Sequence, residues 1–144
     1  MRVINIGLME LAHDEASAIL SVKWADELSV ESEEFFQTVV SLFEYMYEKQ
    51  VENLVIDSGI PAGGVLNERI IDVFIQNIPN TPLKNILLLE SPDYLWDNNL
   101  YQVIKLLVTS YQLPIAVELM KNKADAHAWL LQSLVTSCPR TTEN

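Results

Sequence analysis

Three short apolar runs limit what this chain can become: residues 54–56 (LVI), 86–89 (ILLL) and 115–117 (IAV). Each is too short for a helix, is built from aliphatic side chains, and has no polar face. That pattern belongs to strands covered on both sides of a sheet. The segments around them carry apolar residues at three- and four-residue intervals instead. Ser29 offers its hydroxyl to the open N–H groups of a first helix, with Glu31, Glu33 and Glu34 near its positive end. Its stripe is Phe36, Val39, Val40, Phe43, Met46 and Tyr47. Leu66, Ile70, Val73, Phe74 and Ile78 predict a second helix, ended by Pro79 and Pro82, which lack the N–H a helix interior needs. A polar break at 91–99 leads to a third, with Leu100, Val103, Ile104, Leu107 and Tyr111 on one face. The fourth starts near residue 121, with Asn122 as its cap and Ala126, Trp129, Leu130 and Ser133 on one side.

Ahead of these, residues 3–11 are weakly patterned and predict an edge strand. In residues 16–24, Ala18, Leu20, Val22 and Trp24 alternate with Ile19, Ser21 and Lys23, and the acid-rich stretch 13–15 suits a hairpin turn between the two. Strands alternating with helices predict an α/β fold. It is a single layered domain whose mostly parallel sheet of about five strands has an antiparallel N-terminal edge pair and about four flanking helices. No repeat or linker divides residues 1–135. Residues 136–144 (TSCPRTTEN) predict a flexible polar tail holding the lone Cys138, which has no partner for a disulfide.

Nine Lys and Arg against 20 Asp and Glu leave a net charge of −11. Such a body repels nucleic acid and anionic lipid and leaves basic proteins open as partners. With 49% apolar and 20% charged residues the composition is that of a soluble globular protein. No run predicts membrane insertion and the N-terminus lacks the features of a signal peptide, so the cytoplasm is the expected location. His13 and His127 are distant from one another and read as surface or half-exposed packing positions, which predicts no metal site. Gly59, Gly63 and Gly64 match neither dinucleotide nor P-loop spacing, and Asp57-Ser58-Gly59 is only a fragment of a hydrolase elbow. The paired acids Asp14 and Glu15, and Glu33 and Glu34, read as solvated surface and capping charges. No cofactor and no catalytic set are expected.

Two stretches stand out. The loop in LVIDSGIPAGGVL (54–66) follows a central strand at its carboxyl end, where ligands of α/β sheets tend to sit. It has three readings: a turn held by local hydrogen bonds from Asp57 and Ser58, a partner switch modified at Ser58, or a site for a bound anion or small ligand. A phosphate on Ser58 would add about −1.5 to −2 charges beside Asp57. The second stretch holds Tyr94, Trp96 and Tyr101 after the next strand end. These rings suit loop packing, a protein interface, or the wall of a small apolar pocket.

Five blocks, VKW (22–24), EEFF (33–36), VENLVIDSG (51–59), LKNILLLES (83–91) and ADAHAWLLQSL (124–134), resemble the STAS and SpoIIAA-like superfamily. The chain looks most like its small stand-alone bacterial members, called STAS/SEC14-like, over residues 18–134. In the anti-anti-sigma branch a strand ends in a motif like Asp-Ser-Ser-Gly-Leu-Gly, whose first serine is phosphorylated by a partner kinase to break a protein complex. The resemblance matches Asp57 to the aspartate, Ser58 to the serine and Gly59 to the glycine. This chain has one serine there, and Ile60, Pro61 and Ala62 intervene before Gly63 and Gly64. The resemblance implies a non-catalytic regulatory or protein-interaction module that meets a protein partner or a second copy in a homodimer. Its SEC14 side implies the alternative, a carrier or sensor of a small apolar or lipid-like ligand.

Overall fold

The weak patterning of residues 3–11 has a simple cause. In the computed structural model, which describes residues 2–137 with side chains as far as residue 132, this segment lies in two strands and not one. Strand β1 (Arg2–Ile6) turns at Gly7 and Leu8 into β2 (Met9–Asp14), and Gly7 supplies the φ of +57° that the turn requires. Inward residues are even-numbered before the turn (Ile4, Ile6) and odd-numbered after it (Met9, Leu11, His13), so alternation breaks at Gly7. The sheet therefore has six strands where about five were expected. The turn expected at 13–15 falls later, with Ala18 N donating to the Glu15 carbonyl at 3.3 Å before β3 (Ile19–Trp24).

Helix and strand then alternate: α1 (Glu33–Lys49), β4 (Asn53–Asp57), α2 (Glu68–Asn77), a short 3-10 turn (Ile78–Asn80), β5 (Asn85–Leu89), α3 (Tyr94–Ser110), β6 (Ala116–Met120) and α4 (Lys123–Ser137). Strand order in the sheet follows chain order, with β1, β2 and β3 antiparallel and β3 to β6 parallel. Three successive crossovers that advance in one direction with the usual right-handedness must put their helices on one face. The core agrees. Leu20, Val22, Leu54, Ile56, Ile86 and Leu88 lie in one cluster with Phe35, Val39, Ile70, Phe74, Leu100 and Ile104 of α1, α2 and α3. On the reverse face α4 stands alone, with Ala126 and Leu130 in a cluster with Val55, Leu87 and Leu89. One helix is about 10 Å wide and strands are about 4.8 Å apart, so it covers about two strands. Beyond Ile19, which packs against the α4 cluster, the reverse face of β2 and β3 accordingly carries small or polar residues: Glu10, Ala12, Ser21 and Lys23.

Two helix starts differ from the sequence expectation. Ser32, not Ser29, caps α1 by accepting from Phe35 N at 3.1 Å, while Ser29 Oγ takes the Glu31 N–H one turn earlier. This later cap accompanies a stripe rotated to Phe35, Val39, Leu42, Phe43 and Met46. Phe36, at the edge of the stripe, supports the Arg69 guanidinium 3.6 Å above its ring. The third helix starts at Tyr94, inside the expected polar break, because Asp93 accepts from Trp96 N at 3.0 Å and caps it. At the other end, α4 runs to Ser137, past the boundary expected at 135; Cys138 and the rest of the predicted tail lie outside the described residues.

His13 is not a surface residue. It is 3% exposed on β2, its Nδ1 lies 2.9 Å from Tyr45 Oη of α1, and the two rings meet edge to face at 5.5 Å. Burial holds the imidazole below its ordinary value, against the opposing pull of Glu15. The sign follows from linkage: the unfolded chain takes up a proton near pH 6.5 while the folded chain resists it. Stability contributed by neutral His13 is complete above pH 6.5 and falls below it until the folded imidazole also protonates. Urea midpoints of the wild type should therefore decline between pH 7.5 and 5, and His13→Gln should flatten that decline. Parallel profiles for the two proteins would contradict it.

Candidate functional site at the carboxyl end of the sheet

Strand β4 delivers Asp57, Ser58 and Gly59 to the carboxyl end of the parallel sheet, and each has a separate structural task. Asp57 Oδ1 accepts from Gly59 N at 2.9 Å and turns the chain, as the local hydrogen-bond reading expects. Gly59 has φ +66°, and a Cβ there would stand 2.8 Å from both Asp26 Oδ1 and the Trp24 carbonyl. The loop thus lies directly on the residues that follow β3. Two further bonds fasten it: Ile60 N to Asp26 Oδ1 at 3.0 Å, and Glu27 N to the Ile60 carbonyl at 2.6 Å.

Ser58 is 5% exposed, and its Oγ accepts the indole N–H of Trp96 at 3.0 Å. The serine and one of the three singled-out rings, 38 residues apart, thereby meet inside the protein. Trp96 sits edge to face with Phe35 at 6.2 Å, and Phe35 with Trp24 at 5.3 Å, so the rings join β3, α1 and α3 at this end. The first two turns of α3 also hold both neighbouring loops. Asp97, 4% exposed, accepts from Ser91 N at 2.6 Å and from Ser91 Oγ at 2.7 Å. Asn99 Oδ1 accepts from Leu66 N at 2.8 Å. Asp26, Asp97 and Asn99 were not singled out from sequence. The signal that bears on the last two is Ser91-Pro92-Asp93, a start signal for a helix three residues before the tryptophan.

The three aromatic residues separate. Residues 94 and 96 are about 200° apart on a helix, so Trp96 enters the core while Tyr94 is 72% exposed. Tyr101 is partly buried against the main core. These rings diverge and do not wall one pocket. What Tyr94 joins is Leu95, 73% exposed, with Ile60 and Val65 of the β4–α2 loop, 52% and 58% exposed. A Cβ on Gly63 would lie 3.9 Å from Asp93 Oδ2, which places that loop beside the start of α3.

Inside the core, a gap of about 20 Å³ bordered by Trp24, Val39, Phe43, Ile56 and Ile104 admits about one water-sized sphere. Two open clefts of about 420 and 440 Å³ flank the β1–β2 turn at Leu8. The first is lined by Glu10, Lys23, Trp24 and Asp26, the second by Glu33, Glu34, Gln37 and Thr38. His127 is half-buried on α4. Among the described residues no three His, Cys, Asp or Glu side chains converge as a metal site, and no helix is long and apolar enough to cross a membrane. Compared with protein families, curated proteins and solved structures, the chain matches none.

Removing the Ser58 hydroxyl leaves a buried indole N–H without its acceptor. Ser58→Ala should lower unfolding stability by about 1–3 kcal/mol in urea titration, and Ser58→Asp, which buries a charge, by more. Gly59→Ala should lose at least about 1–2 kcal/mol from its backbone conformation alone, besides the contacts with Asp26 and Trp24. Wild-type stability in Ser58→Ala would mean that the bond to Trp96 contributes nothing.

Proposed function

We propose that the chain is a non-catalytic protein-interaction module of STAS or SpoIIAA-like type, which meets a protein partner through the carboxyl end of its sheet. The observation that carries this reading is the group Ile60, Val65, Tyr94 and Leu95. Four large apolar side chains, each more than half exposed, stand on two segments that hydrogen bonds hold together. Aliphatic and aromatic residues on a rigid support are the usual anchors of protein interfaces, because their burial against a partner removes apolar surface from water at small entropic loss. The element order found in the fold supports the STAS-type assignment. Ser58 in this reading positions the surface: its hydroxyl is occupied by Trp96, so a kinase would reach it only after the first turn of α3 had moved. A partner that seats on Tyr94 and Leu95 touches the same turn, which couples docking to the environment of Ser58.

A photo-crosslinking residue placed at Leu95, beside one at the equally exposed Leu106 farther along α3, tests the reading in native cells. The expected result is a discrete protein adduct from position 95 and none from 106. Identical patterns from both positions, or no adduct from either, would remove this end of the sheet as a partner surface.

A further inference from the structure

The apolar group at the carboxyl end has mainly acidic surroundings. The segments that build this end after β3, β4 and β5, residues 25–34, 57–68 and 90–97, contain ten of the chain's 20 acidic residues and none of its nine lysines and arginines. The segment after β6 adds the exposed Lys121 and Lys123, the latter in a cleft with Glu10, Lys23, Asp57 and Leu89, and the other bordering cations are set among acids. Arg69 forks onto Glu33 at 2.8 and 3.3 Å, and Lys23 is registered between Glu10 and Asp57 of the adjacent strands. Backbone bonds run along this end from Ala25 N to the Leu8 carbonyl at 2.9 Å and from Glu27 N to the Ile60 carbonyl at 2.6 Å. Asn99 then holds Leu66 N at 2.8 Å beside α3. Leu8, Ile60, Val65, Tyr94 and Leu95 are thereby set along one acidic border.

We propose that this border docks a basic segment of a protein partner in which Lys or Arg stands beside Leu-, Ile- or Phe-type anchors. The inference rests on the interaction reading above and adds the chemistry of the occupant. The apolar groups supply burial, while carboxylates such as Glu27, Glu31 and Asp93 around them select cations and repel an acidic or neutral competitor. The cleft of about 440 Å³ between Leu8 and the first turns of α1 sets an exposed leucine beside Glu33 and Glu34, a seat for an alkyl stem that ends in a positive charge. A second copy of the chain would bring its own −11 to the contact. Anionic lipid and nucleic acid meet the same repulsion.

A fluorescein-labelled peptide of alternating Lys and Leu pairs, with its Glu/Leu counterpart as control, tests this by anisotropy on the full chain. Two exposed pairs lose equal charge: Glu27→Gln with Glu31→Gln at the border, and Glu44→Gln with Glu48→Gln on the far half of α1. The expected result is binding of the Lys/Leu peptide alone, weakened about tenfold by the border pair, within about twofold of wild type for the far pair, and weakened by Leu95→Ser. Urea midpoints confirm that each variant is folded. Equal weakening by both pairs would overturn the proposal, as would a concentration-dependent dimer in light scattering that Leu95→Ser abolishes. A protein adduct from Leu95 together with equal weakening by both pairs would leave the interaction surface standing and remove only its basic partner. Loss of the adduct would remove the surface itself.

Discussion

The hydrogen bond from Trp96 Nε1 to Ser58 Oγ is the contact on which the carboxyl end of this protein depends. A buried indole N–H is stabilised by an acceptor, which the buried Trp24 lacks and which one hydroxyl at the end of β4 supplies to Trp96. The pairing fixes α3 against the central strand and so fixes everything its first two turns carry. From there Asp97 orders the loop after β5 and Asn99 holds the end of the loop after β4. One bond thus ties the end of β4 to the helix that holds two loops, and the hydroxyl that looks like a switch in sequence is occupied in space.

Topology explains why exposed apolar side chains collect here. Strands that follow one another across the sheet stack α1, α2 and α3 on one face and leave the reverse face of the N-terminal hairpin without a helix, where Asn5, Glu10, Ala12 and Asp14 stand beside the exposed Val3. That face is satisfied by water, as antiparallel sheets allow. The carboxyl end carries exposed apolar side chains on neighbouring segments, Leu8, Ile60, Val65, Tyr94 and Leu95. The same end holds half of the acids, so exposed apolar area and negative potential coincide.

Much of the architecture was legible because burial on both faces leaves a plain signature. The fully apolar runs at 54–56 and 86–89 are central strands, and the run at 115–117 leads into β6. Asn122 caps α4 as expected, accepting from Asp125 N at 2.9 Å. The hairpin was hidden because a two-residue turn changes the parity of inward positions, so that Ile4, Ile6, Met9 and Leu11 look irregular when read as one strand. His13 was misplaced because its acidic neighbours suggested a turn, whereas its partner Tyr45 lies 32 residues away on α1. The candidate site was legible in residue identity and not in arrangement. Ser58 and Trp96 were both singled out, but periodicity carries no information on contacts between segments 38 residues apart. Starting α3 six residues too late also hid the divergence of Tyr94 from Trp96.

The most direct measurement is solvent exchange of the Trp96 indole proton, followed by NMR in native buffer and at rising urea. If the bond to Ser58 closes the carboxyl end, this proton exchanges only through global unfolding, with the denaturant dependence of the most protected core amides. Exchange at a rate that urea barely changes, through local opening of the first turn of α3, would contradict the account. Ser58 would then be an open hydroxyl, ready to be modified without disturbing the rest of the domain.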